Sequence, residues 1–526
     1  MAISCASSSP TRVLEPRQRH NGGGAESRAG HAPQERAKVT LTTGGGSITE
    51  ITCWQDPRHG RSDLVGAGLE ALDSLNLGVV LTDDSARLLL TNRTADQILA
   101  ARDGLEVTTE GVLGTGSRRC SLSLRVAIQQ AAQGALSGQP FSKNAALVVE
   151  RPSGKRPLTL FVRCVQRESS PPDAPRTVLL FMLDPESPTQ ATEASLRQLY
   201  GLTPREARLA HLLISGKTFE ECCDDLSIRP STARMHLGNL FAKTGVQRQG
   251  QLISLLLKSV GTVRMSSADR NSDRPGKPPD RTEFSGKHSP SKCPAPDILA
   301  AGLEALDLLH IGVAVTTGSR QLLFANQTAQ QILATRDGLE VTAQGVLSAL
   351  KKNCFPSLSS FPQRVSQATL SGTSMPVDSV LALPRPSGRR PLTLLVRSLN
   401  KAEGRLDPRQ PAVLVFILDP ELPIPATESG LRQLYGFTSC EAGLAHLLME
   451  GNALDDCCEQ LGIRASTARM HLANMFAKAG VQRQGPLISL LLKTVGIVRL
   501  QSDERSIRRS HYRRSGILNR VSSKPW

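Results

Sequence analysis

Aromatic residues make up only 3% of this 526-residue chain, and no apolar run reaches the roughly 18 residues of a membrane-spanning helix. The first shortage means that any core is built from Leu, Val, Ala and Ile, within a hydrophobic share of 39%. The second predicts no membrane partner. The opening MAISCASSSPTRVLEPRQRH lacks the apolar centre of a secretory signal, which points to a cytoplasmic protein. Eleven cysteines are present, but no CxxC pair and no histidine at zinc-ligand spacing, so neither a metal site nor a disulfide framework is expected. The chain also has no GxSxG, Walker loop or HExxH, and no recurring acid pair in a catalytic setting. No enzymatic activity and no cofactor are therefore expected.

What is present is positive charge. The net charge is +16, which suits a polyanionic partner such as nucleic acid. Part of it is uninformative, because Arg505, Arg508, Arg509, Arg513, Arg514, Arg520 and Lys524 crowd a tail with no acid among them.

The chain is also written twice. GLEALDSLNLGV from Gly68 returns as GLEALDLLHIGV from Gly302, an offset of 234, and STARMHL from Ser231 returns from Ser466, an offset of 235. RPSGKRPLTL from Arg151 and LRQLYG from Leu196 return in the same way at Arg385 and Leu431. This is domain-scale duplication, far longer than a solenoid repeat. It divides the chain into a disordered arm (1–61), a first unit (62–187 and 195–263), a linker (264–296), a second unit (297–421 and 430–498) and a basic tail (499–526). The linker from Met265 to Pro296 is rich in Pro, Ser, Gly and charge and has too little apolar surface to offset ordering.

The second part of each unit reads as four helices. Thr203, Pro204 and Glu206 form a capping box with proline at the first helical position; Leu209, Leu212 and Leu213 mark one face, and Gly216 is a stop. In the next helix Phe219, Cys222, Cys223 and Leu226 fall on one stripe, so the paired cysteines, repeated at Cys457 and Cys458, read as small core residues. A third helix from Pro230 buries Ala233, Leu237, Leu240 and Phe241. It turns Ser231, Arg234, Met235 and Gly238 outward and ends at Gly245. An outward arginine beside small residues suits a major groove, where Arg reads guanine and hydroxyls and cations hold phosphates. In the fourth helix Leu252, Leu255 and Leu256 share a side that is core, a dimer contact, or both.

Across about fifty positions in register, LTPREARLAHLLISG…DDLSIRPSTARMHLGNLFAKTGVQRQ resembles the LuxR-type DNA-binding domain. The resemblance implies that the third helix is the recognition helix, that phosphate contacts lie near Lys243 and Arg248, and that domains pair through the fourth helix. The implied DNA-binding residues are Ser231, Thr232, Arg234, Met235, Lys243 and Arg248, with Ser466, Thr467, Arg469, Met470, Lys478 and Arg483 at the matching positions. Arg229 and Arg464 depart from the family's capping serine. His236 and His471 match its histidine and read as structural. Leu202 to Lys258 carries eight bases against five acids, a net of +3, while Phe437 to Lys493 carries five of each, a net of 0. Phosphate neutralisation dominates affinity, so the first unit is expected to bind DNA more tightly.

The first part of each unit begins with a helix over Leu64 to Asn76, followed by strands GVVLTD and RLLLT and a helix opening at NRTADQIL. Strands LTLFVRCV and RTVLLFML return later, so an α+β domain is expected. The pattern, with Asn92 and Ala95 matched by Asn326 and Ala329, resembles a PAS sensor domain and implies ligand sensing, dimerisation, or both. RPSGKRP and RPSGRRP sit between strand signals and read as basic hairpin turns rather than phosphate loops.

The expected architecture is multidomain: two α+β PAS-like domains, each followed by an all-α four-helix LuxR-type domain. The expected function is bacterial, nucleoid-associated transcription regulation on double-stranded DNA, with an unidentified small-molecule effector as a candidate partner. The chain would act as a pseudo-dimer within itself or as a homodimer. The competing reading is an interaction scaffold with degenerate DNA-binding domains, favoured by the arginines at the cap positions and the neutral second unit.

Overall fold

The computed structural model describes residues 36–42, 48–54, 61–134, 145–165, 176–188, 191–261, 263, 302–350, 379–399, 412–426 and 428–498. The linker, the basic tail and the first 35 residues lie outside them. Within the stretch read as a disordered arm, β1 (Arg36–Thr42) and β2 (Ile48–Trp54) pair as an antiparallel ribbon. Their Val, Ile and Thr content favours strand, a signal that the composition-based reading passed over.

α1 (Arg61–Ser74) ends two residues before Asn76, which takes a left-handed conformation at φ 55°. There follow β3 (Gly78–Thr82), β4 (Leu88–Thr91) and α2 (Arg93–Ala100), and then the short hairpin β5 (Leu105–Val107) and β6 (Leu113–Thr115). α3 (Arg118–Gly134), β7 (Ala145–Val149), β8 (Leu158–Cys164) and β9 (Val178–Leu183) complete the layer. The five-stranded sheet is antiparallel in the order β4-β3-β9-β8-β7. The β5–β6 hairpin, α3 and β7 were not read from the sequence; β5 and β6 are three residues each, too short to show a period.

The second half repeats this order. A helix α9 over 302–307 leads to β10 (Gly312–Thr317), β11 (Leu322–Ala325), α10 (Gln327–Ala334), β12 (Leu339–Val341) and β13 (Leu347–Ala349). β14 (Ser379–Leu383), β15 (Leu392–Ser398) and β16 (Ala412–Leu418) close a second sheet in the order β11-β10-β16-β15-β14.

Alternation along these strands determines what each face covers. In β9, Val178, Leu180 and Met182 face a local core under α3, with Leu124 and Ile128. Leu179, Phe181 and Leu183 point the other way, into a core shared with the second half of the chain and the helices. β16 does the same, with Val413, Val415 and Ile417 inward and Leu414, Phe416 and Leu418 in the shared core. Both faces are covered, so these strands read as continuous apolar runs rather than alternating ones.

Asn92 shows why a polar residue sits in this core. It is 2% exposed; its Oδ1 accepts from Val79 N at 2.8 Å and Ala95 N at 3.0 Å, and its Nδ2 donates to the Leu77 carbonyl at 2.7 Å. The side chain therefore caps α2 and ties it to β3, satisfying groups that burial would leave orphaned. Asn326 makes the same bonds to Val313 and Ala329.

Helices follow each sheet. The first set is α4 (Glu193–Tyr200), α5 (Pro204–Ile214), α6 (Phe219–Leu226), α7 (Pro230–Thr244) and α8 (Gln249–Leu256), which continues into one wide π turn, Leu257–Gly261. The second is α11 (Glu428–Tyr435), α12 (Ser439–Met449), α13 (Leu454–Leu461), α14 (Ala465–Ala479) and α15 (Gln484–Val495). The capping box at Thr203 forms as expected, with Thr203 N donating to Glu206 Oε2 at 2.9 Å. Gly216 follows α5 at φ 95°, where a side chain would be strained.

Candidate nucleic-acid interface

α7 is held from below and bare above. Ala233 and Leu240 are fully buried, and Leu237 and Phe241 half-buried, against α5. Ser231, Arg234, Met235 and Gly238 are exposed and Thr232 is half-buried. Met235 is 56% exposed and its counterpart Met470 54%, unusual for a methionine and consistent with a face kept free for a partner. On α14, Ser466 and Arg469 are exposed and Thr467 half-buried in the same arrangement.

Both helices start without a side-chain cap, because Arg229 and Arg464 occupy the cap position and cannot accept from the backbone. Arg229→Ser is expected to stabilise the chain by about 1 kcal/mol, the usual worth of a hydroxyl cap. Urea unfolding monitored by circular dichroism checks this; an unchanged or lower midpoint would show that the cap site is satisfied in another way.

The lysines and distal arginines are placed differently from the exposed face of α7. Lys243 Nζ lies 2.6 Å from Glu206 Oε2 and also donates to the Gly201 carbonyl. Glu206 is 3% exposed. Burial pushes its carboxyl up, but the bonds from Lys243 and Thr203 outweigh that and hold it below its ordinary range. Lys478 and Glu441 repeat the pair at 2.7 Å. These lysines thus tie α7 and α14 to the capping boxes of α5 and α12. Arg248 and Arg483 begin α8 and α15 and point across the molecule, Arg483 to Glu220 at 3.1 Å and Arg248 to Asp455 at 3.9 Å.

The paired cysteines are core residues. Cys222 and Cys457 are fully buried, and burial, with nearby acids or the neighbouring cysteine, pushes both thiols up to about 12. Neither is a nucleophile at neutral pH.

The two helical sets meet through α8 and α15. A Cβ added to Gly250 would lie 3.2 Å from Ile488 Cδ1, and one added to Gly485 would lie 3.1 Å from Ile253 Cδ1. The glycines therefore set how closely the two helices approach. Ser254 Oγ donates to the Met449 carbonyl at 2.6 Å, and Ser489 Oγ to the Ile214 carbonyl at 2.8 Å, each closing the end of a helix in the other half. The apolar side of the fourth helix is both core and contact.

The sheets reach across as well. The RPSGKRP segment is the β7–β8 hairpin turn. Arg151 within it is held by Asp103 and Asp184 at 2.7 and 2.9 Å. Arg156 extends to the far end of α14, donating to the carbonyls of Ala479 and Gly480 at 3.4 and 3.2 Å. Arg390 does the same to Thr244 and Gly245 at the end of α7, at 3.3 and 3.2 Å. A cation there complements the helix dipole and satisfies free carbonyls. The ends of α7 and α14 are thus each gripped by the sheet domain of the opposite half. Arg156 and Arg390 were not singled out from the sequence, although they recur in the repeated RPSG(K/R)RP string.

Comparison with known proteins identifies the helical segment. The profile described as "GerE: Bacterial regulatory proteins, luxR family" matches residues 201–256. Residues 201–256 form a LuxR-type DNA-binding domain. No curated protein matches the chain. Among solved structures, the phage VqmA–DPO complex is 14% identical, with 38% of this chain and 89% of that one covered and a TM-score of 0.17. A Vibrio cholerae VqmA dimer without target DNA, titled a LuxR-type receptor, is 16% identical over 34% of this chain and 81% of that one, with a TM-score of 0.14. The E. coli DhaR(N)–DhaL complex is 14% identical over 68% and 86%, also at 0.14. These scores are too low to carry an argument about function. Among the described residues no helix is long and apolar enough to cross a membrane.

Proposed function

We propose that the chain is a sequence-specific DNA-binding transcription regulator whose two LuxR-type units, 195–263 and 430–498, act as an intramolecular pair on two half-sites. On this reading the halves are two copies of one unit. The PAS-like domains 62–187 and 297–421 hold the pair in position and transmit an effector's influence, in a cytoplasmic, nucleoid-associated protein. The observation that carries the reading is the close approach of α8 and α15 at Gly250 and Gly485, with an exposed Arg-bearing helix on each side. Two helix-turn-helix units read successive half-sites about one helical turn, roughly 34 Å, apart, and the shared STARMHL segment predicts similar half-site sequences.

The test is selection from random duplex DNA followed by binding across a salt series, with wild type and Arg234→Ala/Arg469→Ala. A motif with repeated half-sites is expected, and the double variant is expected to lose on the order of 2–6 kcal/mol of specific binding, from about 1–3 per bidentate contact. Weak binding with no enriched motif and no effect of the variant would replace this reading with the interaction scaffold.

A further inference from the structure

A cleft of about 90 Å3 lies where both sheets and both fourth helices meet. Its walls come in equivalent pairs from the two halves: Leu183 and Leu418, Leu257 and Leu492, Lys258 and Lys493. The cleft therefore straddles the seam between the halves, where a bound molecule would touch both at once.

The two lysines differ in their surroundings. Lys258 lies in the field of Glu450 and Asp419. At the position of Glu450 the first half has Ser215, so Lys493 has no such acid. The charge acting on Lys493 is Arg156, which repels it, and Lys493 has no hydrogen-bond or ion-pair partner among the described residues. The carboxylates in the same walls are already engaged, Asp184 with Arg151 at 2.9 Å and Asp419 with Arg385 at 2.8 Å. Lys493 is half-buried, and holding an ammonium partly out of water without a counter-charge is costly; a ligand anion would offset that cost.

We propose that this cleft binds a small aliphatic monocarboxylate, its carboxylate on Lys493 Nζ and its short chain against the leucine walls. One uncompensated cation calls for one negative charge. The leucines favour a hydrocarbon tail over a hydrated phosphate. Leu183, Leu257, Leu418 and Leu492 offer apolar wall beside the ammonium, which suits a short hydrocarbon chain. The site stands apart from the DNA reading, but its role as an effector site rests on that reading, because the molecule would bridge the two halves that carry the recognition helices.

The experiment is isothermal titration of the full chain with acetate, propionate, butyrate and inorganic phosphate, using wild type, Lys493→Met and Ser215→Glu. Ser215→Glu places an acid where Glu450 sits relative to Lys258, so it occupies Lys493 without removing it. At least one carboxylate is expected to bind wild type and to bind both variants at least tenfold more weakly, with thermal melts showing that the variants remain folded. Binding by phosphate alone, binding undiminished in the variants, or no binding at all would each overturn the proposal. Repeating the DNA titration with the bound carboxylate separates the two readings. A change in DNA affinity supports the effector role. Carboxylate binding with unchanged DNA affinity leaves the site and removes that role, and carboxylate binding by a chain that selects no DNA motif leaves the site and removes the proposed function.

Discussion

Replacing Gly250 and Gly485 together with leucine is expected to weaken binding to a two-half-site DNA by roughly 100-fold, the scale on which linking two binding modules raises affinity. Each added Cβ would start only 3.2 or 3.1 Å from an isoleucine methyl of the facing helix. Two leucines facing each other add bulk on both sides of this close approach, and a packed interface yields by separating rather than by compressing. Within its own helix leucine is a better residue than glycine by several tenths of a kcal/mol, so helical content should be preserved. Affinity for a single half-site should change little, since Arg234 and Arg469 stay where they are on α7 and α14. Fluorescence anisotropy with single-site and double-site duplexes measures the two quantities side by side. Equal loss on both duplexes would mean that the variant damages the helical units themselves, and no loss on either would mean that α8 and α15 do not set the spacing.

The second large effect concerns stability. Burial, with the repulsion of Arg156 added, depresses the Lys493 ammonium from 10.5 to about 8. An unfolded lysine keeps its ordinary value, so between about pH 8 and pH 10.5 the unfolded chain binds a proton that the folded chain has released. Stability from this group therefore rises with pH across that window, by about 3 kcal/mol in all as an upper bound. Below pH 8 both states are protonated and the full cost is present. Lys493→Met keeps the unbranched chain and removes the charge, so in the absence of ligand it should stabilise the protein by about 2 kcal/mol at pH 7. The advantage should shrink as pH rises toward 10.5. Urea unfolding of both proteins at pH 7 and pH 10 checks the sign, and a gain independent of pH would assign the effect to packing instead. Lys258 should show a smaller effect on the same substitution, because Glu450 and Asp419 favour its charged form.

The helices of the LuxR-type domain were legible because their signals are local. Thr203, Pro204 and Glu206 specify a start within four residues, and Gly245 an end, at φ 67°. The buried stripe of α7 follows from a 3.6-residue period. The outward face could then be named by exclusion, and Arg234 and Met235 are indeed exposed. Lys243 was a different matter. The resemblance implied a phosphate contact near Lys243; the carboxylate paired with it in the structure is 37 residues away in the chain, on a helix whose cap it also serves.

The sequence by itself determined α1 and α2, the strands β3, β4, β8 and β9, the helices α5 to α8, and that one pattern recurs at an offset of 234 to 235 residues. Capping, periodicity and repetition are properties of neighbours or of matching strings, and they need no knowledge of the fold. The tertiary structure decided how the halves are joined. The sequence left open a pseudo-dimer within one chain or a homodimer; in the structure a continuous core runs through both sheets and both helical sets. Arg156 and Arg390 cross to the opposite recognition helix, and the cleft around Lys258 and Lys493 exists only where four segments meet. Contacts between residues some 146 to 324 positions apart leave no local trace, because the burial and charge compensation that stabilise them are supplied by whichever distant surface happens to arrive.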